Sequence, residues 1–327
     1  AANTLPYGHY SMAEKTASKG YKLTSEVKEF NISEEGMIVD LTGSGFHEPV
    51  IRGGVQIQKF DKELDVSEAI GGNNHDKNDT GTTLSGIDFV IVNKSAHDVL
   101  VDGKQYSPGE KVAAITTHWN DAVKAYTAET KDSALPYGTY TMQESKTNDS
   151  YLLTDGIART FSIIENGKVV TSDVNGNSLT FKNQVKRGDF ELTKIADETS
   201  KRLSVPFAIT NQATGETHVV VSDRNGEFSS FKWNAHSADT NDNDRLLDME
   251  KTNETIMPDD MNPMAGIWFG TGESGSTAAV DDTLGALPYG KYTLKELPCD
   301  NNVGYVMQKF DFYIYRDSTT VDLDTIT

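Results

Sequence analysis

A ten-residue block occurs three times in this chain and constrains its fold more than any other feature. Leu5 to Glu14 reads LPYGHYSMAE, Leu135 to Glu144 reads LPYGTYTMQE, and Leu287 to Glu296 reads LPYGKYTLKE. Each copy opens on a Pro-Gly turn signal and continues with period-two alternation, the mark of a half-buried strand. An aromatic and further apolar residues follow: Gly20-Tyr21-Lys22-Leu23, Ser150-Tyr151-Leu152-Leu153 and Gly304-Tyr305-Val306-Met307. The first two copies then reach polar turns, Glu34-Glu35-Gly36 and Glu165-Asn166-Gly167. The pattern predicts a turn, a strand, a loop, a hairpin and a closing strand.

A second repeated block lies upstream of the last two copies. Val55-Gln56-Ile57-Gln58-Lys59-Phe60-Asp61 matches Phe190-Glu191-Leu192-Thr193-Lys194-Ile195-Ala196-Asp197. A Leu-Ser segment then runs into a strand in each, from Leu84 to Asn93 and from Leu203 to Asn211. Two complete units emerge, at 54–187 and 188–327, and 1–53 matches only the back half of such a unit. No long amphipathic helix is present, and short strands recur between turn signals. The expected class is all-β, tandem immunoglobulin-like sandwiches with less than about a tenth helix. Alternation is also clear in Phe310-Asp311-Phe312-Tyr313-Ile314-Tyr315. Each complete unit carries a polar insert, Gly71 to Asp79 in one and about Trp233 to Asp282 in the other. The simplest reading of both is a solvated loop between strands.

Charge narrows the function. Acidic residues outnumber basic ones 49 to 30, for a net charge of −19. Phosphate backbones and anionic membrane surfaces attract clustered Lys and Arg, so neither is an expected partner. No apolar run reaches the roughly 20 residues of a membrane span. Cys299 is the single cysteine, so no internal disulfide or cysteine zinc site can staple the chain. It reads as a small buried hydrophobe.

Strand parity points to chemistry. Val55, Ile57 and Lys59 share one face, as do Phe190, Leu192 and Lys194. Both faces are apolar, so both lysines should point into a core. Tyr140, Met142 and Glu144 share a face, and Tyr292, Leu294 and Glu296 repeat it. A Lys and a Glu are thus predicted to enter the same core twice over. A buried Lys–Glu ion pair is the simplest account. In the closing strand Leu179, Phe181 and Asn183 also share a face, which adds a third member. Desolvation favours the neutral forms of an amine and of a carboxylic acid. A neutral Lys59 could then attack the Asn183 carboxamide, polarised by protonated Glu144, and expel ammonia to leave an isopeptide bond.

The LPYGxYxxxE block, the first-strand Lys with an Asp close behind, and the closing Phe-x-Asn resemble Cna-B-type domains of Gram-positive adhesins and sortase-assembled pilins. The large insert, with Asn234-Ala235-His236, Ala265-Gly266-Ile267-Trp268-Phe269-Gly270 and Val280-Asp281-Asp282, is similar to that of SpaA-like domains. The resemblance implies an inverse immunoglobulin-like sandwich, spontaneous isopeptide bonds, an extracellular cell-wall-anchored location and a stalk or adhesive role. It makes Lys59, Asn183 and Lys194 crosslink residues, with Glu144 and Glu296 catalytic. The first unit has Glu14 but no first-strand Lys, and Glu48 stands where Asn183 would align, so no bond is expected within it. Aligned on Phe181-Lys182-Asn183, the acceptor for Lys194 falls just beyond Thr327, with Asp322 and Asp324 as nearby alternatives. These mismatches predict a piece of a longer surface protein whose partners are its neighbouring domains.

Other signals carry less. Asp239, Asn241, Asn243 and Glu250 have the oxygen spacing of a calcium loop, but Asp244 stands where the sharp turn needs Gly, so a polar loop is the simpler reading. Leu135-Pro136-Tyr137-Gly138-Thr139 is internal and has Gly and Thr in the wrong order for a sortase signal. The histidines, His9, His47, His75, His97, His118, His218 and His236, lack ligand spacing. No P-loop, dinucleotide fingerprint or nucleophile elbow occurs, so neither a cofactor nor a turnover enzyme is expected. A crosslink that consumes its own residues happens once. A second reading makes the acidic inserts a contact for a host ligand.

Overall fold

The computed structural model describes residues 4–69, 81–153, 156–232, 234–271 and 279–327. The Gly71–Asp79 insert and Trp233 lie outside them. Strand accounts for 42 % and helix for 6 %, so the all-β expectation holds. The first segment contributes β1 (Gly8–Ala13) and β2 (Val27–Ile32). The next contributes β3 (Arg52–Asp61), β4 (Asp88–Asn93), β5 (Val99–Val101), β6 (Lys104–Tyr106), β7 (Lys111–Thr116), β8 (His118–Asn120) and β9 (Ala125–Glu129). It continues through β10 (Leu135–Pro136), β11 (Gly138–Lys146), β12 (Arg159–Ile163), β13 (Val169–Val170) and β14 (Thr180–Asn183). The last contributes β15 (Arg187–Lys194), β16 (Pro206–Asn211), β17 (Thr217–Val221), β18 (Glu227–Ser229), β19 (Leu287–Pro288), β20 (Gly290–Glu296), β21 (Lys309–Ile314) and β22 (Thr320–Ile326).

The two complete units are built alike. In the second unit one sheet runs β10-β3-β9-β8 and the other β12-β11-β4-β7; β13 and β14 lie parallel to β3. In the third, β18-β15-β19 faces β17-β16-β20-β21, with β22 parallel to β15. First and closing strands are therefore parallel neighbours, which needs a long crossover, here the rest of the unit. Alternating inward residues from both sheets fill the cores. Val55, Ile57, Phe89, Ile91, Tyr140, Met142 and Phe181 belong to one core, and Phe190, Leu192, Phe207, Ile209, Tyr292 and Leu294 to the other.

The repeated block has a physical reason. The second aromatic of each copy returns to its own turn: Tyr10 Oη donates to Pro6 O at 2.7 Å, Tyr140 Oη to Pro136 O at 2.8 Å, and Tyr292 Oη to Pro288 O at 2.7 Å. For Tyr140 and Tyr292, which are fully buried, the bond satisfies a phenol that burial would otherwise strand. It also fixes the turn ahead of the Glu-bearing strand.

The insert of the third unit departs from the solvated-loop expectation. It holds α1 (Arg245–Thr252), and Leu246, Ile256, Ile267 and Phe269 are fully buried in the third core. The candidate calcium set is not assembled. Asn241 accepts from Trp268 N at 3.0 Å and donates to Trp268 O at 3.2 Å, and Asn243 pairs in the same way with the backbone of Asn262. Glu250 is ion-paired to Lys295 at 2.6 Å. The asparagine oxygens are spent on backbone pairing, and no group of three metal-binding side chains occurs among the described residues.

His218 fastens this insert to the sheet. Its Nδ1 lies 2.7 Å from Asp244 and its Nε2 2.8 Å from Glu216, with the ring edge-on to Phe269. Asp244 also accepts from Val219 N at 2.9 Å, and Glu216 from Gly270 N at 3.1 Å. Burial alone would lower the imidazole's pKa, but hydrogen bonds to the two carboxylates override it and raise it to about 9. A raised cation pKa contributes stability that is full below about pH 6.5 and lost as pH rises through about 9. His218→Gln should therefore destabilise the third unit by about 3 kcal/mol at pH 6. The wild-type advantage should vanish by pH 10, read from denaturant unfolding at the two pH values.

Candidate functional site

Lys59, Glu144 and Asn183 meet inside the second unit. Lys59 lies on β3, Glu144 on β11 of the opposite sheet, and Asn183 at the end of β14 beside β3. Lys59 Nζ is 2.7 Å from Glu144 Oε2. Asn183 Nδ2 donates to Glu144 Oε1 at 2.7 Å and to Thr147 Oγ1 at 3.2 Å. Glu144 thus bridges the amine and the carboxamide, one oxygen to each. All three residues are buried. The surrounding wall is aromatic: Phe89 lies 5.9 Å from the Lys59 ammonium and packs edge-on against Phe181. Aromatic rings solvate an ion poorly, so burying Lys59 and Glu144 is costly unless they contact each other.

Asn183 Oδ1 is buried without a hydrogen-bond partner. Parity led to a protonated Glu144 donating to this oxygen; instead the carboxylate accepts from the amide nitrogen. An ionised carboxylate can only accept, so it selects the N–H end of the carboxamide.

Asp61 stands opposite Asn183 in the parallel register and is fully buried. Burial, aided by the nearby Glu63 charge, pushes its carboxyl up to about 6. Tyr151 Oη donates to it at 2.9 Å, and its other oxygen accepts from Glu63 N at 2.8 Å. The aspartate behind the first-strand lysine therefore shapes the turn that carries Glu63.

The third unit repeats the pair. Lys194 Nζ is 3.2 Å from Glu296 Oε2, and both are buried. Here Asn302, unforeseen from sequence, donates to Glu296 Oε1 at 3.0 Å and to Leu297 O at 2.9 Å, and accepts from Cys299 N at 2.8 Å. Its carboxamide is anchored at both ends and lies away from the closing strand. Register locates the closing-strand position: Phe181 pairs with Lys59, two residues before Asn183, and Ile326 pairs with Lys194. The equivalent of Asn183 is position 328, one past this sequence. Asp322 and Asp324 are exposed and accept from the backbone of Asp324 and Thr325, so the core geometry does not present them to Lys194.

A family model of SpaA, a prealbumin-like fold domain, matches residues 1–45 and 72–183. The matched residues make up just under half of this chain, and they are similar to this family. Among solved structures it is similar to the Bacillus anthracis TIE protein, at 20 % identity and a TM-score of 0.52, over 99 % of this chain and 42 % of that one. A Streptococcal ancillary pilin aligns at 16 % identity and TM-score 0.28, covering 98 % of this chain and 76 % of that one. BcpA, the major pilin subunit of Bacillus cereus, aligns at 14 % and 0.29, covering 99 % and 85 %. No sequence among the curated proteins matches. The likeness to the TIE protein shows a shared fold, and this chain spans less than half of that protein's length.

The second and third units are joined by a buried ion pair that sequence reading missed. Arg187, at the start of β15, is bidentate to Glu63 of the preceding unit, at 2.7 and 2.8 Å. Its remaining N–H groups donate to Gly285 O, Ala286 O and Phe269 O at 2.9–3.2 Å, so all five donors are used. Its plane stacks on Trp268, 3.9 Å from the ring centroid. The joint is closed further by Tyr289 N, which donates to Lys186 O at 2.8 Å. Gly188 leaves the room: a Cβ there would meet Thr319 O at 2.8 Å. Removing one partner of a buried pair leaves the other uncompensated, at about 3–5 kcal/mol. Glu63→Gln should cost about that much and split a coupled unfolding of the second and third units into two transitions in scanning calorimetry.

Proposed function

We propose that this chain is a structural stalk module of a Gram-positive cell-wall-anchored adhesin or pilin. In this reading Lys59 and Asn183 become joined by an isopeptide bond with Glu144 as the proton-handling carboxyl. The observation that carries it is the single carboxylate contacting both an amine and a carboxamide inside an aromatic-walled core.

The residues balance the chemistry. A proton passes from Lys59 to Glu144, which leaves a neutral amine and a carboxylic acid. Glu144 can then donate only to a carbonyl, so the Asn183 carboxamide turns over and Oδ1 gains the partner it lacks. Lys59 Nζ attacks Cγ, and the acid's hydrogen bond stabilises the tetrahedral oxyanion. The leaving nitrogen takes up a proton, ammonia departs, and Nζ–Cγ replaces Nδ2–Cγ. Glu144 is left as the acid and returns to the carboxylate by giving that proton to the departing ammonia, which leaves as ammonium. The event happens once per chain and is not turnover.

The bond would tie β3 to β14, the strands that begin and end the unit. Pulling force would then pass between adjacent strands and bypass the rest of the sandwich. With the Glu63–Arg187 joint passing load to the next unit, this suits a load-bearing spacer on the cell surface. Among the described residues of the third-unit insert, Leu246, Ile256, Ile267 and Phe269 pack into the core and Phe269 O serves the joint, which favours the stalk over the ligand-binding reading.

Intact mass should fall short of the sequence by one ammonia, not two, because no residue of this sequence occupies position 328. Asn183→Ala should carry its full sequence mass and keep the ion pair. It should lose about 4–5 kcal/mol, by analogy with a disulfide closing a loop of this length, with matching loss of thermal and protease resistance. A folded wild-type sample at full sequence mass would contradict the reading.

A further inference from the structure

The 4–51 segment repeats the back half of the second unit in detail. Tyr21 bridges Val50 as Tyr151 bridges Val185, each seven residues after the block's glutamate. Lys22 N donates to Pro49 O as Leu152 N does to Gln184 O, and Ile51 N to Gly20 O as Lys186 N does to Ser150 O. This geometry equates Glu14 with Glu144 and Glu48 with Asn183. What covers the two copies differs. Leu135, Met142, Tyr151 and Val185 are 0 % exposed, whereas their counterparts Leu5, Met12, Tyr21 and Val50 are 39–44 % exposed. A core face is laid out with nothing on it among the described residues.

Charge says what fits there. Glu14 hydrogen-bonds Glu48, and this contact, with some burial, holds the Glu14 carboxyl above its usual range. Two carboxyls therefore sit at the positions of Glu144, which holds a lysine in the second unit, and of Asn183 beside it. The next unit's arginine completes the pattern. Arg52 pairs with Pro136 as Arg187 pairs with Pro288. Its guanidinium donates to Ala134 O at 3.1 Å and Leu100 O at 2.8 Å, but no carboxylate ion-pairs with it among the described residues. Arg187 receives Glu63, four residues after Lys59, and the third unit keeps the spacing in Lys194 and Glu198.

We propose that the 4–51 sheet is a docking surface for one extended β-strand that carries a lysine and, four residues on, a carboxylate. The lysine lies between Glu14 and Glu48, the carboxylate on Arg52, and the alternate apolar residues of the strand cover Met12, Tyr21 and Val50. The occupant is neither β3 nor β15, because Lys59 and Lys194 are already buried in their own cores. The inference rests on this geometry and not on the covalent reading of Lys59.

The probe is a synthetic peptide copying residues 53–66, titrated into the 1–327 chain with hydrogen exchange to locate it. Saturable one-to-one binding is expected, with new protection in 8–13 and 46–50. A peptide with norleucine for the lysine, or with Gln for the Glu63 equivalent, should bind about tenfold more weakly. No binding, equal binding by the norleucine peptide, or protection confined to the second unit would overturn the proposal. So would self-association of the chain that protects the same face and excludes the peptide, since that would assign it to a second copy.

Discussion

A lysine ammonium and a glutamate carboxylate enclosed by phenylalanines are costly to desolvate, by several kcal/mol for each ion. The Lys59–Glu144 pair exists because the sandwich holds both in place, and several features of the second unit serve that end. The β3–β14 parallel pairing brings Asn183 to the pair, and the facing sheets bring Glu144 to Lys59. The Tyr140–Pro136 bond fixes the strand on which Glu144 rides. Asp61, held by Tyr151, closes the far end of β3 and sets the turn that presents Glu63. The buried Lys–Glu–Asn cluster and the joint to the next unit are thus two ends of one short stretch, Lys59 to Glu63.

That coupling gives the chain its modular logic. Each complete unit offers a lysine inward and, four residues on, a glutamate. Each following unit offers an Arg-Gly pair at its first strand. Glu63 and Arg187 show the contact made; Arg52 and Glu198 carry the same residues at the neighbouring positions of the repeat. Because Arg187 uses every donor and stacks on Trp268, the joint fixes an orientation as well as a distance. A stalk assembled from such joints would be stiff.

Period-two alternation was enough to aim Lys59, Glu144, Lys194 and Glu296 into two cores, since an apolar face can point only one way in a sandwich. It also placed Asn183 on the inner face, and the repeat located the closing-strand position next to Lys194 as the register does. It could not show Glu63 and Arg187 meeting, because that contact begins where a strand ends and its periodicity stops. The third-unit insert misled for a related reason. Leu246, Ile256, Ile267 and Phe269 are scattered through a polar stretch with no single period, yet they complete a core. Asn241 and Asn243 imitated a calcium loop because a carboxamide that pairs with backbone offers the same oxygen that a metal would use. Asn302 was missed because it lies on a turn, where no parity applies.

Mechanical extension of a single chain tests the central claim most directly. Held at residues 1 and 327 and pulled, the wild type should never release the segment between 59 and 183, on the order of 400 Å of chain. Asn183→Ala should release it in full as the second unit unfolds. Release of that length by the wild type would show that Lys59 and Asn183 are not joined and that the cluster is an ion pair and nothing more.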